Sequence, residues 1–332
     1  MYFITTTLLV MGSPSPPGED SCVACPGAEI RGEKMNYLIA VTDGCGGSGG
    51  VLYKEFENWT GARIASHEVV RELYRWFLQP DVHSLNVQEQ AAALQSYLFT
   101  HLKEIARKLP KSGVVRSSMI VELPTTIAAI TASLSSPREV LLRYFWAGNT
   151  RGYYLGSNGL RQITWDDTIG NLDPYEDLQK DGILCNVANA SKPFTIHFRE
   201  IKTLDPCIVF AASDGCFSYF RSPLELEERL LETLMQAKTP AEWEQLLDKA
   251  IGGIAGDDYT MQMAVIGFQS FEAVKTALLP RWIAFCKKYR PRLENCRKLN
   301  LDDPDLESIL QLLWSEYKDG FLQEVRECQQ NQ

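Results

Sequence analysis

Apolar positions along the chain form short, nearly continuous runs of strand length, separated by longer stretches in which apolar residues recur at helical spacing. Residues 2–11 (YFITTTLLVM) are rich in Thr, Ile, Phe and Val and predict a strand. Tyr37–Thr42 (YLIAVT) predicts a buried strand running into a turn at Asp43-Gly44, followed by a glycine-rich loop, Gly44–Gly50. From Gly61 to Leu78, Ile64, Val69, Leu73, Trp76 and Phe77 fall on one helical face. Leu94, Leu98, Leu102 and Ile105 do the same within Val87–Leu109.

Strand-like runs return at Ser118–Glu122, Thr125–Thr131, Leu141–Trp146 and Gly152–Leu155, with Ser157-Asn158-Gly159 as a hairpin turn into Leu160–Thr164. Residues 166–195 are polar, contain Pro174 and Pro193, and read as a loop or small insertion. Cys207–Ala212 is a further buried run ending at Asp214-Gly215. Helices are predicted over Pro223–Gln236 and Pro240–Ile251, and a last strand over Thr260–Phe268. Beyond Glu272 the pattern is helical alone. Asp303-Pro304 supplies an N-cap and a first-turn proline, ahead of one apolar face made by Leu306, Ile309, Leu310, Leu313, Trp314, Tyr317, Phe321 and Val325. The expected boundary lies near residue 270, between a strand-rich domain (1–270) and a helical extension (271–332).

Composition narrows the function classes. A chain of 332 residues, 45% hydrophobic and 23% charged, has enough apolar material for a sizeable core. A formal net charge of -9 argues against nucleic-acid binding through a basic face and against an anionic membrane surface. The extension carries ten Lys/Arg against ten Asp/Glu, which gives no electrostatic targeting signal. No apolar run reaches the roughly 18 residues of a membrane span, and residues 2–11 lack a basic leader. Nine scattered cysteines without a secretory signal favour reduced thiols and a cytoplasmic location. Cys22 and Cys25 form a lone C-x-x-C with no second pair at zinc-site spacing, so they read as half-buried strand residues.

Acidic residues beside glycine carry the candidate chemistry: Glu19-Asp20 in GEDS, Asp43 in TDGCGG, Asp214 in SDG, and Asp257-Asp258 in GDDYT. Taken singly, Asp-Gly is also a favoured turn dipeptide. As a set at the ends of buried strands, these carboxylates would repel one another unless cations neutralised them. Hard divalent ions, Mg²⁺ or Mn²⁺, suit such an all-oxygen donor set. Glycine at these positions is expected to let the backbone approach a ligand closely.

Across roughly residues 3–268 the chain resembles the metal-dependent Ser/Thr protein phosphatases (the PPM, or type 2C, family), and most of all its bacterial branch. The resemblance rests on six elements in family order: GEDS (18–21), AVTDGCGG (40–47), PTTIAAI (124–130), AGNTRGYYL (147–155), FAASDG (210–215) and GDDYTMQMAVI (256–266). It implies an α+β fold in which two antiparallel sheets pack as a sandwich with helices on both outer faces (four layers, αββα), and a metal site at one end. It further implies that Asp43 bridges two metal ions and that the Gly44 carbonyl binds one of them. Asp214 and Asp257 would hold one ion. Glu19 would act on the other directly or through water, with Asp20 as a neighbouring support. The implied catalytic set is Asp43, Asp214 and Asp257, the cofactor Mg²⁺ or Mn²⁺, and the substrate a phosphorylated protein. The implied reaction is in-line attack on a phosphomonoester by a water made acidic between the two ions.

Three positions depart from the family pattern. Ser15 stands where an Arg usually holds the phosphate, leaving a residue such as Arg63 to do so. Asn149 replaces an Asp that can bind a third ion, and a neutral amide is the poorer ligand. Cys45 occupies a position at which some relatives carry a His proposed as general acid, and here reads as a packing residue. His67, His83, His101 and His197 share no ligand spacing and are expected at surface or boundary positions. The expected function is therefore a Ser/Thr protein phosphatase. The alternatives are a pseudophosphatase that binds a phosphoprotein or partner, and a phosphatase of small esters. The apolar face beyond Leu306 is expected to dock on the body, or else to bind a partner.

Overall fold

The computed structural model describes residues 4–29, 35–110, 121–136, 139–170, 173–180, 182–300 and 303–325. Strands β1 (Ile4–Gly12), β2 (Ser21–Glu29) and β3 (Met35–Gly44) come first. A single helical turn, α1 (Gly46–Gly49), and the short pair β4 (Leu52–Tyr53) and β5 (Trp59–Thr60) lead into the long helices α2 (Gly61–Phe77) and α3 (Val87–Lys108). Strands β6 (Thr125–Leu134), β7 (Val140–Ala147), β8 (Arg151–Gly156) and β9 (Gly159–Gln162) follow. Then come α4 (Pro174–Lys180), β10 (His197–Thr203), β11 (Cys207–Ala212), α5 (Leu224–Gln236), α6 (Pro240–Gly252) and β12 (Tyr259–Ile266). Helices α7 (Phe271–Lys288), α8 (Arg290–Lys298) and α9 (Pro304–Phe321) end the described chain.

Two five-stranded antiparallel sheets, ordered β1-β12-β11-β8-β9 and β10-β7-β6-β3-β2, carry the architecture. The two-residue period of a strand sorts its side chains between two cores. In β3, Tyr37, Ile39 and Val41 enter the layer between the sheets, while Leu38 and Ala40 pack with Ile64, Leu73, Leu94 and Leu98 of α2 and α3. In β11, Val209 and Ala211 face inward, while Ile208 and Phe210 pack with Leu230 and Trp243 of α5 and α6. Both faces of each central strand are covered, which is why these strands read as continuous apolar runs rather than alternating ones. The expected αββα sandwich is what forms.

Local chemistry sets the helix starts. Thr60 caps α2 through Arg63 N, and Asn86 with Glu89 forms a reciprocal capping box on α3. Asp303 caps α9, its carboxylate accepting from Asp305 N at 2.9 Å. The apolar face of α9 is buried. Leu306, Leu310, Leu313, Trp314, Tyr317, Phe321 and the following Val325 share one cluster with the outer face of the β1-to-β9 sheet.

Five local readings need correction. β3 does not turn at Asp43-Gly44 but continues through both, because they pair with Thr126 and Thr125 of β6. The glycine-rich loop contains the helical turn α1. The insertion at 166–195 holds α4. β10 went unrecognised because HFREIKT is an edge strand whose positions alternate between partly exposed and exposed, so polar residues fill both faces. Of the strand expected at Ser118–Glu122, positions 118–120 lie outside the described residues, and Val121 and Glu122 are not in a strand.

Glu227 of α5, fully buried, ties the C-terminal helices to the body. Its carboxylate accepts from Arg281 Nε and Nη2 of α7 at 2.6 and 2.7 Å, from the Tyr317 hydroxyl of α9 at 2.6 Å, and from Leu160 N of β9 at 3.2 Å. Glu227→Ala strands a guanidinium and a buried hydroxyl. The expected destabilisation is about 3 kcal/mol, visible as a Tm roughly 5 °C lower in calorimetry. An unchanged Tm would show that the helices do not lean on this carboxylate.

Candidate metal centre

All six candidate acids lie at the same end of the sandwich, at or just before the strand ends. Asp43 is the penultimate residue of β3, Glu19-Asp20 immediately precede β2, Asp214 follows β11, and Asp257-Asp258 immediately precede β12. Asp20 is buried at 3% exposure, Asp43 and Asp214 are partly exposed, and Asp257 faces solvent. The Asp43 carbonyl is held by the hydroxyls of Thr125 at 2.8 Å and Thr126 at 3.4 Å.

Electrostatics show that these side chains are neighbours. Burial, and then the charges of Asp20, Asp214 and Asp257, push the Asp43 carboxyl well above its ordinary range. Burial, opposed by hydroxyl groups of Ser213 and Thr260 and aided by Asp214 and Asp258, raises Asp20 to about 7. Burial and Asp257 raise Asp214 to about 6, against the opposing Asn149 amide and Arg151. Glu19 is raised by burial, with the Thr60 hydroxyl and Arg63 acting the other way.

Supporting contacts come from distant segments. The Ser213 hydroxyl donates to Asp20 Oδ2 at 2.7 Å, and the Thr60 hydroxyl donates to Glu19 Oε1. Asp258 Oδ2 accepts from Glu19 N at 2.5 Å, so Asp258 holds the acidic loop. Asn149 Nδ2 donates to Asp214 Oδ2 at 2.9 Å. Arg151, 1% exposed, pairs with Asp166 at 2.5 Å and Asp177 at 3.2 Å, and its guanidinium lies 3.9 Å from the centre of the Phe217 ring. Thr60, Ser213, Asp166 and Asp177 escaped the sequence reading. Only Ser213, inside SDG, had a local signal.

Two of the glycines have evident packing roles. A Cβ on Gly215 would stand 2.0 Å from the Asp258 carbonyl oxygen, so this glycine lets the loop after β11 close on the loop before β12. Gly148, at φ +94°, turns the chain sharply before Asn149.

The donors fit hard dications by their chemistry. Asp20 Oδ1 and Asn149 Oδ1 are buried without hydrogen-bond partners, among carboxylates that burial and mutual repulsion drive toward protonation. No three of these acids bring oxygens all within 4.8 Å of one another. Among the described residues that spacing is met by Glu68, Glu72 and His101 on α2 and α3. There Arg71, Arg75 and the Tyr97 hydroxyl already neutralise and bond the glutamates, which makes an ion-pair network.

The four histidines are partly buried. His67 packs on Trp59, His83 bonds the Phe77 carbonyl, and His197 meets Asp167 at 2.9 Å. Cys22 and Cys25 are half-buried in β2. Cys45 is pushed well above the ordinary thiol range by burial and then by Asp43, so it keeps its proton. Among the described residues no helix is long and apolar enough to cross a membrane.

No family model matches the chain, and no curated protein matches it in sequence. Among solved structures, the Ser/Thr phosphatase Stp1 from Staphylococcus aureus superposes with a TM-score of 0.55 at 18% identity, over 80% of this chain and 98% of that one. The Ser/Thr phosphatase PstP/Ppp from Mycobacterium tuberculosis gives 0.52 at 21% identity, over 80% and 99%. A PstP catalytic domain in complex with two manganese ions gives 0.52 at 20%, over 80% and 99%. At these identities the likeness establishes the fold, that of the bacterial PPM-type Ser/Thr phosphatases.

Proposed function

We propose that this chain is a cytoplasmic, Mg²⁺- or Mn²⁺-dependent phosphatase that hydrolyses phosphoserine and phosphothreonine in proteins. The observation that carries the reading is the gathering of Asp20, Asp43, Asp214 and Asp257 at one end of a phosphatase-type sandwich. The PstP catalytic domain in complex with two manganese ions supports a two-ion site for this donor set. Asp43 would serve both ions and the Gly44 carbonyl one of them, Asp214 and Asp257 would hold one, and Glu19, steadied by Thr60, would serve the other. Bound there, the ions would supply an acidic water and positive charge facing the phosphoryl oxygens.

The chain's own residues do the positioning. Arg63 is the candidate phosphate anchor in place of Ser15, which is exposed. Its guanidinium lies 4.1 Å from the centre of the Trp59 ring, it acts on Glu19, and its Nε is buried without a partner. Arg63→Ala is expected to raise KM for a phosphothreonine peptide about tenfold with little change in kcat. An unchanged KM assigns anchoring elsewhere. Cys45 packs beside Asp43, where burial favours its protonated form. Asn149, which donates to one Asp214 oxygen, is a neutral amide and so the poorer ligand for a third ion.

The second reading, a pseudophosphatase that binds a phosphoprotein without turnover, draws on Ser15 and on the Asn149 contact. The deciding experiment is hydrolysis of a phosphothreonine peptide and an aryl phosphate with and without Mn²⁺. Metal-dependent turnover supports the enzyme. Phosphopeptide binding without turnover in Mn²⁺ or Mg²⁺ supports the pseudophosphatase, and turnover of the aryl phosphate alone points to small esters.

A further inference from the structure

The three C-terminal helices lie beyond the acid cluster, yet side-chain contacts lead from α9 to Asp214. Trp314 of α9, 4% exposed, donates its indole N–H to Asp173 Oδ2 at 3.0 Å and stacks over Tyr175, with centroids 6.4 Å apart and planes at 23°. The other oxygen of Asp173 accepts from the backbone N–H groups of Tyr175 and Glu176, each at 3.0 Å. One carboxylate thereby fastens the start of α4 to α9. Helix α4 carries Asp177, whose Oδ2 meets Arg151 Nη2 at 3.2 Å.

Arg151 is the convergence point. Its guanidinium is shared between Asp166 and Asp177 and covers the Phe217 ring. Phe217 in turn donates its backbone N–H to the Asp214 carbonyl at 2.9 Å. A second contact path from α9 ends on the same ring: Phe321 lies 6.3 Å from Tyr153, and Tyr153 lies 6.2 Å from Phe217.

We propose that α9 sets the position of Asp214 through this relay, in which Trp314 clamps α4, α4 presents Asp177 to Arg151, and Arg151 fixes Phe217 and the loop bearing Asp214. Trp314, Asp173, Asp177 and Arg151 are positioning residues. The consequence for metal binding rests on the metal-site reading above, whereas the mechanical coupling does not. Charge gives the direction. Asp177 balances part of the Arg151 charge, and releasing it leaves more positive potential facing Asp214, which opposes a dication. An open cleft of about 350 Å³, lined by Asp173, Tyr175 and Trp314, adjoins this joint.

The test uses the full chain and four single variants: Trp314→Phe, Asp173→Asn, Asp177→Asn and, as control, Leu98→Ala, which weakens the packing of α3 on the other sheet and lies outside the α9 cluster. Amide hydrogen exchange across Asp214–Ser218 is expected to speed up several-fold in the three relay variants and to match wild type in Leu98→Ala. Calorimetric titration with Mn²⁺ is expected to show Kd raised roughly tenfold by Asp177→Asn. Adding Trp314→Phe to Asp177→Asn is expected to change neither readout further, since both act through one path. Unchanged exchange in the relay variants, or equal acceleration in Leu98→Ala, overturns the relay. If wild type itself takes up no Mn²⁺, the metal reading fails and exchange alone decides the relay.

Discussion

Asp43→Asn is expected to reduce Mn²⁺-dependent hydrolysis of a phosphothreonine peptide by at least about 10³-fold, the rate equivalent of losing roughly 4 kcal/mol of metal-assisted stabilisation. The substitution preserves volume and removes one charge from the most crowded carboxyl of the site. Burial and then the charges of Asp20, Asp214 and Asp257 already hold this group above its ordinary range. Removing it therefore relieves repulsion in the metal-free protein. The Tm of metal-free Asp43→Asn should equal or exceed that of wild type at pH 7.5, while calorimetric Mn²⁺ binding disappears. Loss of turnover together with a lower Tm would point to unfolding instead. Retained turnover in the variant would remove Asp43 from the metal site.

The second large effect concerns pH. Asp20 at about 7 and Asp214 at about 6 both lie above the ordinary aspartate value of 3.8, and Asp43 lies well above it. Between pH 4 and 7 the unfolded chain has released protons that the folded chain still holds. Stability of the metal-free protein therefore falls as pH rises through that window, and the loss is complete above the folded-state values. A tenfold difference in proton affinity between folded and unfolded chain is worth about 1.4 kcal/mol, so the summed effect is of the order of a few kcal/mol. Thermal melts in chelator are expected to show Tm dropping from pH 5 to pH 7.5. Saturating Mn²⁺ should reverse the drop at pH 7.5 by on the order of 5 °C, with little effect at pH 5, where protons compete for the same oxygens. A metal-free Tm that is flat across this range, or an Mn²⁺ effect equal at both pH values, would contradict the reading of these acids as one uncompensated cluster.

Much of this architecture is written locally. Val209–Ala212 and Leu38–Val41 are apolar at every position because sheet and helices cover both faces of the central strands, and such runs stand out in a sequence. The two-residue step between Tyr37, Ile39, Val41 and the alternate Leu38, Ala40 then assigns faces without further information. Helix starts were legible for the same reason: Asp303 caps α9 through atoms two residues apart. The edge strand β10 was not legible, since an edge needs no continuous apolar run.

The acids themselves were visible as strand-end Asp residues beside glycine, but their environment was not. Glu19 depends on Thr60 across 41 positions and Asp20 on Ser213 across 193. Gly215 gains its purpose only when the Asp258 carbonyl lies against it. Arg151 shows the same division. Its place after Gly148-Asn149-Thr150 could be read along the chain, whereas its burial between Asp166 and Asp177, and the clamp on α4 by Trp314 from 141 positions away, could not. Sequence by itself determined most of the strands and helices and which residue types bear charge, because periodicity and capping act over a few residues, while the layering followed from the family resemblance. Tertiary structure decided which charges meet, because Coulomb forces and desolvation depend on distance in space, and only folding turns separations of up to about 240 positions into contacts a few ångströms long.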